Sequence, residues 1–277
     1  MIYKPLVMSN EEYHAKTKYE SSSTARKILT SPKKYLYDKT AESIPTKAME
    51  EGTAIHTYFL ENELFKNRYC FKPKAFNGRT KEGKQWMEEH GHLNVLAAEW
   101  EENLIHMNHS FLASPAKMIY DMEGLTELSF FSEDLRGLRA KCRPDWISSD
   151  AHTVVDLKTT QDASPKGFQK SIGQFGYHIQ ASWYLRVLQN LDIPVKEFIF
   201  IAIEKTAPFC VGVYRADTEM LEEGNKKVDE AINQILWCKE NDSYPDYTPN
   251  EIETISLPPW MTKKLEQQSS QEEIELY

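Results

Sequence analysis

A chain of 277 residues that is 40% hydrophobic and carries six tryptophans has the apolar content for a substantial core, which excludes a disordered protein. Its formal charge of −9 excludes a uniformly basic nucleic-acid binder, but nine acidic and two basic residues lie between Glu240 and Tyr277, so the remainder carries only −2 and a local basic groove is permitted. Cys70, Cys142, Cys210 and Cys238 stand far apart with no Cys-x-x-Cys pair, pointing to neither a zinc ribbon nor a secreted disulfide framework. The N-terminus has no continuous apolar leader and no stretch approaches the ~20 apolar residues of a membrane span, so a cytoplasmic protein without membrane contact is expected.

In chain order, the hydroxyl run Ser21-Ser22-Ser23-Thr24 before Ala25 predicts a short capped helix that ends at Ser31-Pro32. Ala54, Ile55, Tyr58, Phe59 and Leu64 fall on one face of a helix predicted over about 49–64, with His56 its one notable polar residue. A long charge-rich helical stretch is expected over 80–113. The period then changes: 125–131, 137–147, 153–157, 198–204 and 210–214 read as strands, with one helix over 166–190 and another over 218–239. After Asn241 the chain is acidic, proline-containing and expected to lie extended on the surface. This order predicts an α/β sandwich with a mixed central β-sheet flanked by helices. It would form one domain over 1–240, with a helical N-terminal part at about 20–115 and an acidic C-terminal extension over 241–277.

The densest chemistry lies in Pro144-Asp145 and Asp156-Leu157-Lys158. Side chains alternate along a strand, so Asp156 and Lys158 project to one side. If the turn at Ser149-Asp150 closes an antiparallel hairpin, Asp145 falls opposite Asp156, with carboxyls within roughly 5 Å. Two such carboxylates repel, and a divalent cation bound by hard oxygen ligands, Mg²⁺ or Mn²⁺, removes that penalty. A buried structural salt bridge is the alternative. His56 could add an imidazole ligand, or be a core histidine satisfied by a carbonyl. Gln180 and Tyr184, one helical turn apart, could hold a DNA phosphate or orient Lys158, or simply pack.

Taken in order, Gly52-x-x-x-His56 with Leu60-Glu61, Arg143-Pro144-Asp145, Val155-Asp156-x-Lys158-Thr159-Thr160 and Gln180-x-x-x-Tyr184 resemble the RecB-like branch of the PD-(D/E)XK nuclease superfamily, most closely the phage and prophage exonuclease VIII (RecE-type) exonucleases. Weaker echoes are Ser31-Pro32 with Tyr35, the run from Arg79 to Lys84, and Leu257-Pro258-Pro259-Trp260. The resemblance implies the PD-(D/E)XK fold and a metal held by His56, Asp145, Asp156 and the backbone carbonyl of Leu157. It implies catalytic roles for Asp145, Asp156 and Lys158, with Lys158 activating water, and support from Gln180 and Tyr184. It further implies 5′-to-3′ exonuclease action on double-stranded DNA ends, leaving 3′ single strands for homologous recombination. A ring-like homo-oligomer and a single-strand annealing protein as partner belong to the same expectation.

Glu127 could border the site as a further catalytic carboxylate or be an exposed strand residue. For DNA contact the candidates are Ser23 and Arg26, where related exonucleases receive the 5′ phosphate, together with Arg79, Arg139, Lys141 and Arg143. Two other readings stay open: an endonuclease of the same superfamily, and a catalytically idle DNA-binding subunit. Gly78 to Lys84 imitates a P-loop, but Gln85 stands where a Ser or Thr should bind Mg²⁺. The pairs His90/His92 and His106/His109 lie on a polar helical stretch and read as solvated histidines. Without a clustered cysteine set, no iron-sulfur cluster is expected.

Overall fold

The computed structural model describes residues 5–41, 46–248, 252–258 and 261. The chain divides into two units, Met1–Tyr244 and Pro245–Tyr277. The first unit opens with helices α1 (Asn10–Ala15), α2 (Ser22–Thr30), α3 (Pro32–Thr40), α4 (Lys47–Leu60) and α5 (Asn62–Arg68). Strand β1 (Tyr69–Phe71), α6 (Lys81–His90), β2 (Asn94–Leu96), α7 (Glu99–Leu112) and α8 (Ala116–Tyr120) follow. Then come β3 (Gly124–Thr126), β4 (Phe130–Leu135), β5 (Leu138–Cys142), β6 (Trp146–Ser148), β7 (Thr153–Thr160), α9 (Pro165–Phe175), α10 (Tyr177–Asn190), β8 (Glu197–Glu204), β9 (Val211–Arg215) and α11 (Thr218–Asn241).

The central sheet is mixed, in the order β3-β6-β7-β8-β9. β7 and β8 run parallel along all of Thr153–Thr160, and the other neighbours are antiparallel. β4 and β5 form a separate hairpin, and β1 and β2 a short parallel pair. β8, Glu-Phe-Ile-Phe-Ile-Ala-Ile-Glu, is apolar at successive positions because both of its faces are covered. On one face Val154, Phe198, Phe200 and Ala202 meet Trp183, Val187 and Leu188 of α10 and Val228, Ile232 and Ile235 of α11. On the other, Val155, Leu157, Ile199 and Ile201 meet Ile55 of α4 and Leu104, Met107 and Phe111 of α7. The mixed sheet flanked by helices is the predicted class.

Several expected elements are cut where the backbone turns. The helix over 49–64 is two, α4 and α5, with Glu61 leaving helical conformation between them. The stretch over 80–113 is interrupted because Val95 and Leu96 are drawn into pairing with β1. The strand over 125–131 breaks at Glu127, whose φ is +53°, so β3 and β4 join different sheets. That over 137–147 breaks around Pro144, which has no N–H to give to a ladder. The helix over 166–190 becomes α9 and α10 because Gly176 sits at φ +67°; a Cβ there would also come within 2.8 Å of Arg26. β7 extends to Thr160. In the second unit, residues 252–258 are irregular, and most of the expected acidic extension, including Pro259 and Trp260, lies outside the described residues. Among the described residues no helix is long and apolar enough to cross a membrane, and the four cysteines are free.

The N-terminal helices are fastened to the sheet side by one carboxylate. Glu20 is fully buried; its Oε1 accepts from the Tyr35 hydroxyl at 2.9 Å, Lys39 at 2.7 Å and Lys239 of α11 at 2.8 Å. Its backbone brackets Ala140 of β5 through Arg139 and Lys141. Burial pushes the carboxyl's pKa up, but Lys39 and Lys239 together outweigh it and the net shift is downward. A lowered folded pKa means the stabilisation is complete above the ordinary value of 4.5 and is lost as pH falls through the folded value. Glu20→Gln should therefore destabilise by about 2 kcal/mol at pH 7 in urea unfolding, because it leaves ammonium groups without their partner. The deficit relative to wild type should shrink as pH falls through the lowered folded pKa, where wild type loses the same charge. An equal deficit at pH 7 and pH 3 would contradict the ion-pair account.

Candidate active site

The antiparallel register of β6 on β7 pairs Trp146 with Val155 and Ile147 with Val154. Carried one residue further, it sets Asp145 opposite Asp156, as the hairpin reading required. β6 is short, so beyond Val155 the edge of β7 facing it has no strand partner. The Leu157 N–H on that open edge is taken instead by the Asp145 carboxylate, at 2.6 Å. N–H and C=O of one strand residue face the same edge, which directs the Leu157 carbonyl into the same gap. His56, on α4, reaches that gap from the opposite sheet face, with Nδ1 3.6 Å from Asp145 Oδ2.

Glu127 continues the β3–β6 register, its N–H donating to the Asp145 carbonyl at 3.0 Å. Three carboxylates thus line up: Glu127 just past β3, Asp145 just before β6 and Asp156 within β7. Ligand atoms of His56, Glu127 and Asp145 all lie within 4.8 Å of one another. Asp156 adjoins this group from the centre of the sheet, buried, with Lys158 Nζ 2.5 Å from its Oδ2 and Gln180 Nε2 2.6 Å from its Oδ1. The Lys158 contact is ionic but lies outside hydrogen-bond geometry, which leaves Asp156 Oδ2 a buried oxygen with no hydrogen-bond donor.

The electrostatics follow from this crowding. Burial, then repulsion from Asp156, raises the Asp145 pKa, against the pull of Lys158. Burial, then Asp145, raises Glu127 to about 7 despite the Arg143 guanidinium 2.5 Å away. Burial, then the Lys158 ammonium, lowers His56 and favours a neutral imidazole, the form that binds metals. Crowded, under-neutralised carboxylates, an orphaned buried oxygen and a neutral imidazole are a donor set that fits a hard divalent cation.

α10 forms one wall. Gln180 and Tyr184 are buried, and Gln180 Nε2 also lies 3.3 Å from the Tyr184 hydroxyl. This corrects the expectation that they face a phosphate or hold Lys158: both are inside the core, where the amide turns Asp156. Burial raises the Tyr184 pKa well above its ordinary value and keeps the phenol protonated. Tyr177 was not among the sequence candidates, yet Lys158 Nζ sits 4.8 Å from its ring centroid. The signal was present, since Tyr177, Gln180 and Tyr184 are spaced three and four residues apart on one helical face.

The DNA-contact candidates scatter. Lys141 is buried and donates to the carbonyls of Tyr13 (2.7 Å) and Lys16 (3.1 Å), and Arg143 is buried against Glu127, Ser129 and the Met8 and Ser9 carbonyls. Neither is a surface cation, because the N-terminal segment covers their face of β5. Arg139 is exposed and paired with Glu133 at 3.1 Å. Arg79 is exposed beside the N-terminus of α6. Ser23 is exposed on α2, while Arg26 donates to the Phe175 carbonyl at the end of α9.

Comparison with known proteins places this geometry in context. A family described as "PDDEXK-like domain of unknown function (DUF3799)" matches residues 21–257. Among solved structures, one from Eubacterium rectale named "Putative exonuclease" is similar at 17% identity and a TM-score of 0.64, over 91% of this chain and 97% of that one. A phage related exonuclease from Haemophilus somnus 129PT matches at 12% identity and a TM-score of 0.34, over 84% of this chain and 100% of that one. No curated protein matches the sequence.

Because the Asp145 pKa is raised, its ionisation opposes folding at neutral pH. Asp145→Asn keeps an oxygen for the Leu157 N–H while removing that charge. In chelator at pH 7.5 the variant should melt ~2–5 °C above wild type. A lower melting temperature would show that carboxylate crowding is not what strains this site.

Proposed function

The chain belongs to the PDDEXK-like family DUF3799, and from that membership and the site geometry we propose that it is a divalent-metal-dependent deoxyribonuclease acting on double-stranded DNA ends. The observation that carries the reading is Lys158 beside Asp156, with Asp145 and His56 across the open edge of β7. The substrate and the 5′-to-3′ direction come from the resemblance to exonuclease VIII. Products would be 3′ single strands for recombination, and a ring-like homo-oligomer with a single-strand annealing partner belongs to the same proposal.

His56, Asp145, Asp156 and the Leu157 carbonyl would hold Mg²⁺ or Mn²⁺, and Glu127 is close enough to His56 and Asp145 to join them. A bound divalent cation lowers the pKa of water and neutralises phosphate charge. The protein's own contribution is positional. Gln180, its amide also donating to the Tyr184 hydroxyl, holds Asp156 Oδ1, so that Oδ2 is the oxygen presented to a cation. Arg143 holds Glu127. Lys158, on the same strand face as Asp156, places an ammonium where it can take part in water activation and offset charge developing on the phosphate.

The test uses purified protein, Mg²⁺, and linear or closed circular duplex. Degradation confined to linear DNA supports an exonuclease, whereas cutting of circles supports the endonuclease reading. No product with either supports an idle DNA-binding subunit. Asp156→Ala or Lys158→Ala should lower the rate by roughly a thousandfold or more, and chelation should abolish it. Full activity in either variant would overturn the site assignment, and early mononucleotide release from a 3′ label would overturn the polarity.

A further inference from the structure

We propose that Tyr177 is a positioning residue for Lys158, the aromatic seat that keeps its ammonium in place when Asp156 is engaged elsewhere; the proposal rests on the nuclease reading of the site. Two groups hold the Lys158 ammonium: the Asp156 carboxylate at 2.5 Å and the Tyr177 ring at 4.8 Å. The first attachment is conditional. Gln180 already occupies Asp156 Oδ1, so a cation drawn to this carboxylate competes for Oδ2, the oxygen Lys158 now faces. An ammonium that lost its only anchor would sample the rotamers of a four-carbon stem. The ring face is an attachment that cation binding leaves intact, and a partly desolvated ammonium over an aromatic face is held appreciably.

The seat is rigid, which a positioning role requires. Tyr177 stacks on Phe200 at 6.1 Å and 29°, directly across from Asp156 in the β7–β8 register, and packs beside Phe168 at 5.8 Å and Phe175 at 5.7 Å. It opens α10 immediately after Gly176, whose left-handed conformation sets the angle between α9 and α10. Arg26 grips that joint by donating to the Phe175 carbonyl. The same helical face then carries Gln180 and Tyr184, so one helix aims the carboxylate and seats the lysine. The contact uses the ring face and not the hydroxyl, which gives the proposal a sharp chemical prediction.

Tyr177→Phe keeps the face, whereas Tyr177→Leu and Tyr177→Met remove it while staying apolar. In metal-free protein with ¹³C-labelled lysine, the Lys158 Hε resonances, identified by their loss in Lys158→Ala, should lie upfield of the other lysines in wild type and Tyr177→Phe. They should return to the common position in Tyr177→Leu and Tyr177→Met. With Mg²⁺ and linear duplex, Tyr177→Phe should keep kcat within about twofold, and the Leu and Met variants should lose roughly tenfold in kcat with KM changed less than about twofold. Unshifted Lys158 resonances in wild type, or wild-type kcat in Tyr177→Leu, would overturn the proposal. If wild type lacks nuclease activity the functional reading fails, while the resonance still decides where the ammonium sits. It also decides this should both substitutions unfold the chain.

Discussion

The site depends on a strand that is paired on one edge and released on the other halfway along. β7 is held by β8 over eight residues, but β6 accompanies it only as far as Val155. Pro144 cannot donate to a ladder, and the polypeptide leaving β5 takes up pairing with β7 only at Trp146. The result is an unpaired backbone edge at Leu157, inside the protein, where an unsatisfied N–H costs free energy. Asp145 satisfies that N–H with its carboxylate, which fixes the acid against the strand that carries Asp156 and Lys158. The same gap admits His56 from the other face of the sheet. Had β6 run three residues further, backbone hydrogen bonds would have closed the gap and the chemistry with it.

The second consequence is unrelieved repulsion. Glu127, just past β3, and Asp145, just before β6, line up with Asp156 of β7, and the cations nearest them, Arg143 and Lys158, offset only part of the charge. A fold selected for stability alone would replace one carboxylate by an amide. The retained crowding is explained by a ligand of opposite charge, since whatever binds the folded state and relieves the repulsion also stabilises it. Gln180 separates the two demands on Asp156, holding one oxygen and leaving the other for the cation or the lysine.

How much of this was legible depends on whether parity or tertiary cover decides a residue's surroundings. Asp145 opposite Asp156 followed from a turn position and strand alternation, and the structure reproduces that register. Parity failed for Arg139, Lys141 and Arg143, which share one face of the chain. Only Arg139 reaches solvent, because Tyr13, Lys16, Met8 and Ser9, more than a hundred residues earlier, fold over the other two. No local pattern carries that information. Glu127 was left open for a similar reason: its positive φ breaks the strand and turns it into the cluster, and a single Glu in Leu-Thr-Glu-Leu gives no sign of it. His56 rested on family resemblance, since one imidazole among apolar neighbours has a structural reading that serves as well. Gln180 and Tyr184 were correctly paired by spacing, but whether they faced a phosphate, oriented Lys158 or packed stayed open, as periodicity reports which residues share a face and not how deeply that face is buried.

Helices α1 to α3 contribute no side chain to the carboxylate cluster, yet the site's rigidity runs through them. Lys158 is seated on Tyr177, Tyr177 follows the Gly176 joint, and the joint is held by Arg26 of α2. The position of α2 is in turn set from just before its N-cap, where Glu20 binds β5 through its backbone and α3 and α11 through its side chain. A rotamer-rich lysine can be aimed only by groups that are themselves fixed, and a short helix resting on the sheet edge would not suffice without such anchoring. Glu20 is well suited to the task because its partners come from α3 and α11, elements far apart in sequence, and because a buried carboxylate imposes direction where apolar contact would permit sliding. The strained, under-neutralised centre is therefore tolerable because the polar groups around it, Glu20, Arg26, Arg143 and Gln180, are committed to holding it still.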